Sequence, residues 1–268
     1  MKIKIKSALI SVYDKNNLSD ILSTLKKYKV NIISSGGTYK KIIDLGFNCK
    51  EVSKYTGSPE ILDGRVKTLH PKIHAGILNK TKDKIHKKQM TKLGYENIDL
   101  IIVNFYPFQK TLNSTKAHNK IIDNIDIGGP TMVRAAAKNF EYKTVITSAI
   151  QYNILKDELK LNNGKTSKQF RQKMSKDAFL ETAYYEATIS NYFNKLSNDK
   201  FPSKGIIFGE KIDKLRYGEN PHQAASIYSQ GKFDIKQLSG KKLSYNNYND
   251  MFSAINITKV LPENIGCV

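Results

Sequence analysis

The sequence predicts an α/β protein, a parallel sheet flanked by helices, followed by an incomplete second domain. Three observations predict it. Two strand–helix units follow each other within the first fifty residues, the second joined by a Gly-rich turn. "IDLIIVNFY" at 98–106 is the strongest strand signal in the chain. Near 197–205 the composition shifts to "SNDKFPSKG", a linker signal. The boundaries drawn from these are 1–199 and 200–268, and the second stretch looks like part of a domain.

The elements follow in order. Residues 5–12 read as a buried strand, and Leu18, Ile21, Leu22 and Leu25 then recur at helical spacing. "VNIIS" at 30–34 is a short strand. "SGGT" at 35–38 is a turn, and "YKKIIDLGF" a helix closed by Gly46. Residues 53–81 show no clean period and hold Gly57, Pro59, Gly64, Pro71 and Gly76; a loop that long is usually functional. "NIDIGGPTMVRAAAKN" at 124–139 is a turn feeding a helix, with Pro130 in its first turn. "KTVIT" at 143–147 is a strand, and 149–196 is helical. "PENIGCV" at the chain end begins to look like another strand.

Composition narrows the function. At 40% hydrophobic residues the chain carries a proper core. No apolar run approaches the ~20 residues of a membrane span, and the Lys–Ile N-terminus lacks a cleavage site. Cys49 and Cys267 make no disulfide framework, so a cytoplasmic location is expected. The net charge of +20 invites a nucleic-acid reading, but it comes from 40 Lys and 4 Arg, with Lys spread over every segment. Nucleic-acid grips favour the Arg fork, so neither nucleic acid nor membrane is expected as a partner. Where Lys is the default cation, an Arg marks a place Lys cannot fill. Arg65, Arg134 and Arg216 lie in unusual stretches; Arg171 lies in a plain helical pattern.

Four stretches carry candidate chemistry. In "DGRVKTLHPKIH" (63–74), Arg65, Lys67 and Thr68 suit an anion: a fork, a point charge and a hydroxyl. A solvated basic loop is the plain alternative. His70 and His74 have zinc spacing, but Pro71 lies between them and no Glu accompanies them, so no metal is expected. "SGGT" is a phosphate cradle in principle, and Asp14 and Lys15 stand at another strand's carboxyl end, where ligands of open sheets gather. "NFYPF" puts Asn104 and Tyr106 after the best strand, with Phe105 and Phe108 read as packing residues. "DIGGPTMVRAAAK" sets Asp126 before a Gly-Gly turn and Lys138 at the helix end, on one face with Arg134.

Those stretches, with "ISVYDK", "YTGSPEILDGRVKTLHPKIHAGIL" and "LRYGENPHQAA", resemble the bifunctional purine biosynthesis proteins in sequence and in order. These join an IMP cyclohydrolase to a phosphoribosylaminoimidazolecarboxamide formyltransferase. The resemblance implies a methylglyoxal-synthase-like first domain that closes a 5-formamidoimidazole ribotide to IMP with loss of water. It implies a nucleotide site of Tyr13, Asp14, Lys15, Ser35, Gly36, Gly37, Thr38, Arg65, Val66, Lys67, Thr68, Val103, Asn104, Asp126, Ile127 and Gly128. Lys138 matches the family's proton donor and acceptor, with Lys67, Tyr106 and Asp126 implicated beside it. No cofactor is implied for ring closure; 10-formyltetrahydrofolate belongs to the formyl transfer. Arg216 and Tyr217 match formyltransferase substrate contacts, but that activity's Lys-His pair would lie beyond Val268.

The expectation is therefore a working cyclohydrolase, a homodimer as in the family, without formyl transfer by this chain alone. The alternatives are a catalytically idle nucleotide-binding module, or one subunit of a split enzyme completed by a separate formyltransferase chain. Ser58 and Phe140 depart from the family pattern outside the implied contacts.

Overall fold

The computed structural model describes residues 1–197, 200–231 and 233–267. The predicted break after residue 199 falls on Asp199, and the predicted last strand ends on Val268, both outside the described residues. The chain divides into two compact units, Met1–Asn198 and Asp199–Val268.

The first unit opens with β1 (Ile3–Lys4), β2 (Ser7–Val12) and α1 (Leu18–Lys27). Leu18, Ile21, Leu22 and Leu25 of α1 are buried, as their spacing predicts. β3 (Asn31–Ser34) then runs straight into α2 (Gly36–Asp44). The predicted turn at 35–38 is instead the start of this helix. Ser35 is its N-cap, and Gly36, at φ +53°, takes the left-handed conformation that lets the chain change direction within one residue.

β4 (Lys50–Glu51) leads into α3 (Val52–Thr56). The stretch read as lacking a period also contains α4 (Pro71–Leu78). Pro71 does not break this helix. It begins it, at the position where its missing N–H costs nothing, while His70 caps it by accepting the Lys72 N–H at 3.1 Å on Nδ1. The rest of the stretch is irregular apart from a 3₁₀ turn at Leu62–Gly64.

α5 (Lys84–Lys92), β5 (Leu100–Asn104), α6 (Phe108–Ser114), α7 (His118–Asp123), α8 (Gly128–Lys138) and β6 (Thr144–Ile146) follow. The region read as continuously helical is divided. α9 (Tyr152–Leu161) ends, β7 (Lys165–Thr166) pairs antiparallel with β1, and α10 (Lys168–Ser197) resumes.

Five strands form one parallel sheet in the order β4-β3-β2-β5-β6. Leu100 to Val103 of β5 are buried in succession, the mark of a parallel strand covered on both faces. α8 packs on β5, β6, α4 and α10, and Ala135, Ala136 and Ala137 allow the close approach. The chain leaves β2 toward β3 and β4, then returns to β5 on the other side. That reversal puts the carboxyl ends of β2 and β5 side by side, with Val12 opposite Asn104. An open α/β sheet offers its crevice at such a switch point.

Arg171 corrects the arginine reading. It is fully buried, and its guanidinium donates to the carbonyls of Phe140 (2.7 Å), Thr166, Met1 (3.2 Å) and Glu141 (3.0 Å). It staples the N-terminus, the turn between α8 and β6, and β7. Arg134 is exposed, over the Phe179 ring at 5.9 Å.

In the second unit, β8 (Glu210–Lys214) and β9 (Ser226–Ser229) form an antiparallel pair. α11 (Tyr245–Thr258) is capped by Ser244. The strand expected in 262–268 does not form among its described residues, which make a turn and an irregular end. Among the described residues no helix is long and apolar enough to cross a membrane.

Candidate active site

A cavity of about 610 Å³ opens at the switch point. Its wall includes Ser35, Arg65, Lys67, Thr68, Tyr106, Asp126, Ile127 and Gly128, eight of the residues that the resemblance implicates. They come from the start of α2, the irregular stretch before α4, the end of β5 and the start of α8.

Local structure explains how each arrives. The Asn104 side chain clasps the end of β2. Its Oδ1 accepts the Tyr13 and Asp14 N–H groups at 2.6 and 3.0 Å, and its Nδ2 donates to the Asp14 carbonyl at 3.0 Å. This brings the Tyr13 ring to 4.4 Å from Tyr106, and both rings stay about half exposed. Asp14 accepts the Asn16 N–H, and Lys15 donates to the Tyr13 carbonyl at 3.1 Å. The Thr38 hydroxyl bonds both backbone groups of Val12, at 3.0 and 2.9 Å, and so ties α2 to β2. Val103 is buried in the sheet and has no side chain to offer a ligand. Val66 pairs with Ile61 across a narrow turn.

Asp126 is the most perturbed acid of the cavity. Burial raises its pKa, opposed by the Gly129 and Gly128 amides at the positive end of α8. Its Oδ1 accepts the Gly129 N–H at 2.9 Å. Its own N–H donates to the Tyr185 hydroxyl at 2.7 Å. Gly128 and Gly129 are needed here. A Cβ on the first would stand 2.6 Å from the Thr68 hydroxyl, and one on the second would run into Asp126 Oδ2.

Both cations of the cavity have carboxylate partners. Arg65 pairs with Asp123 at 2.6 Å, with both side chains largely exposed. Lys67 is 20% exposed and pairs with Glu60. A Cβ on Gly36 would stand 2.9 Å from the Lys67 ammonium nitrogen, so Lys67 lies against the backbone at the start of α2. Gly37 has open space around it.

Lys138 is not brought to this cavity within one chain. It is exposed at the far end of α8, about 16 Å from the end that lines the cavity. His74 sits behind the wall. Burial lowers its pKa, the Thr68 carbonyl opposes that, and Nε2 is buried without a partner among the described residues. Among the described residues no three His, Cys, Asp or Glu side chains gather as metal ligands would. In the second unit, the Arg216 guanidinium lies 4.7 Å from the Tyr217 ring and donates to its hydroxyl at 3.0 Å, which lowers that phenol's pKa.

Sequence reasoning missed Glu60, Asp123 and Tyr185. Glu60 carried a usable signal, an acid just before the Arg–Lys motif of a strongly basic chain. Tyr185 carried none, because its partner is 59 residues away.

Residues 17–131 match the model of the MGS-like domain, and residues 136–268 match that of the AICARFT/IMPCHase bienzyme. The bifunctional purine biosynthesis protein PurH of Leptospira biflexa is 46% identical over 265 residues, covering 98% of this chain and 52% of that protein. The PurH proteins of Rhizobium etli (strain CIAT 652; 42% identity, 98% of this chain, 50% of that protein) and Elusimicrobium minutum (46%, 93% and 49%) are similar. The chain spans about half the length of these relatives. The crystal structure of ForH matches with a TM-score of 0.62 and 26% identity, over 70% of this chain and 99% of that one. An MGS-like parallel sheet, together with the AICARFT/IMPCHase match over residues 136–268, places this chain in the family of bifunctional purine biosynthesis proteins.

Proposed function

We propose that the first unit is a cytoplasmic IMP cyclohydrolase. It closes 5-formamido-1-(5-phosphoribosyl)imidazole-4-carboxamide to IMP with loss of water, the last step of purine ring synthesis. The observation that carries this reading is the convergence of Ser35, Arg65, Lys67, Thr68, Tyr106 and Asp126 on one cavity at the switch point.

The reaction needs such groups. The carboxamide nitrogen forms a bond to the formyl carbon, and the formyl oxygen takes a proton. That oxygen then leaves as water, the two ring nitrogens having each given up one hydrogen. A carboxamide is a weak nucleophile, so holding it against the formyl carbon supplies much of the rate. The oxygen gains negative charge during attack, and Lys67 or the Tyr106 phenol meets it. Asp126, its pKa raised by burial, is better suited to accept the amide proton than an exposed carboxylate. The α2 start, with Ser35 and Gly37, faces the phosphate. Ring closure requires no cofactor.

Lys138 fits this reading only if a second copy supplies it, which accords with a homodimer. Formyl transfer from 10-formyltetrahydrofolate is not part of this proposal; of the contacts implied for it, residues 200–268 hold Arg216 and Tyr217. A second reading, an idle nucleotide-binding module, is favoured by the carboxylates that already occupy both cavity cations. Incubation of the protein with the formylated ribotide, followed by IMP absorbance, separates the two. Steady formation of IMP is expected; binding of the ribotide without IMP would make the module the better account.

A further inference from the structure

We propose that Glu60 is a positioning residue for Lys67: it holds the ammonium against Gly36 and competes for it with the anionic group of the bound nucleotide. The inference rests on the cyclohydrolase reading and adds a residue to it.

Three observations carry it. First, the chain has 24 acids against 44 Lys and Arg, yet an acid stands on the least exposed cation of an anion-binding cavity. Simple capture of an anion would leave that lysine free. Second, the ammonium sits at the start of α2, the positive end of a nine-residue helix. A cation there is unfavourable unless an anion accompanies it. Without ligand that anion is Glu60, and with ligand the phosphate or the developing oxyanion takes its place. Third, Lys67 forms part of the wall of two cavities, the 610 Å³ one and a neighbour of about 270 Å³ that Glu60, Glu51, Ser53 and Ser58 line. Lys67 therefore has an anionic station on one side and the ligand on the other.

The Glu60 carboxylate is itself placed by the turn below it. Leu62, Asp63 and Gly64 take φ values of +53°, +53° and +88° in succession. A Cβ on Gly64 would stand 2.5 Å from Glu60 Oε1, so the side chain lies over a glycine that gives it room. Non-glycine residues seldom adopt such angles, and runs of them concentrate at functional turns.

Glu60→Gln keeps the shape and removes the charge. With competition gone, IMP should bind about 3- to 10-fold tighter by calorimetry, while turnover falls about 10-fold or more because Lys67 follows the ligand instead of the reacting oxygen; KM and kcat then fall together. Glu60→Asp should restore part of the turnover. If Glu60 merely held the turn, its loss would weaken IMP binding, and that result overturns the proposal, as do unchanged affinity and turnover. Wild-type protein that makes IMP beside an indistinguishable Glu60→Gln rejects this role alone. Wild-type protein that neither binds nor makes IMP rejects the cyclohydrolase reading and this role with it.

Discussion

Arg171 shows how much one side chain can hold. A guanidinium presents five donors in a fixed plane, and here it meets four carbonyls from three segments. An ammonium has three donors and no fork. Arg171→Lys should therefore destabilise the protein by about 2–4 kcal/mol, because buried carbonyls lose their partners. Urea denaturation measures it; a loss below about 0.5 kcal/mol would remove the staple from the account. Lys143 is also fully buried, donating to the Gly76 carbonyl at 2.8 Å. Burial pushes its pKa down to about 8, with Asp99 opposing. The unfolded chain keeps that proton up to about 10.5, so between these values it binds more protons than the folded one. Stability from this residue then rises with pH. The stability of wild type relative to Lys143→Met should rise from about pH 8 to about 9.5, and a flat profile would show that the amine is not desolvated.

Among elements, the pairing of β2 with β5 decides whether the site exists. Two parallel strands end together at Val12 and Asn104, and one amide side chain knots their ends. Asn104→Ala removes three hydrogen bonds from the turn that carries Tyr13 and Asp14. We expect a stability loss of about 1–3 kcal/mol with a raised KM for the ribotide, since the Tyr13–Tyr106 wall loses its anchor. Unchanged KM in a well-folded variant would make the clasp structural only. At the opposite end of the sheet, the Asn139 side chain donates to Ile77 and Asn79, and Lys143 to Gly76. Asn139 satisfies two carbonyls at the end of α4, and Lys143 adds a donor to the Gly76 carbonyl that the Ile98 N–H and the Asn79 side chain already meet, so α4 and the Thr68 segment before it keep a set position.

At the scale of the whole molecule, the position of Lys138 turns a question of mechanism into one of assembly. Lys67→Ala and Lys138→Ala should each lower turnover about 100-fold or more, as loss of a proton-transfer group does. If Lys138 acts across a two-fold dimer, mixed dimers of the two variants contain one intact site, and remixing should return about a quarter of wild-type activity. No recovery would confine the site to one chain and dismiss Lys138 from it.

Much of this was legible in the residues. Apolar runs and helical spacing located β2, α1, β3, β5, α8 and β6, because burial enforces a period. The motif stretches were legible because their polar residues have no packing reason to cluster. The rest was not local. Pro71 sits in a stretch without a period and gives no sign of a helix, because its place at the start of one depends on where the chain before it goes. Arg171 read as ordinary because its four carbonyls lie up to 170 residues away. The sequence by itself determined the layers of the first unit, the family, and which side chains are equipped to meet a nucleotide. The tertiary structure decided which of them meet. It placed Lys67 between Glu60 and Gly36, tied the half-buried Asp126 to Tyr185, and left Lys138 at the wrong end of its helix, because charge pairing and burial depend on distances through space that no spacing along the chain encodes.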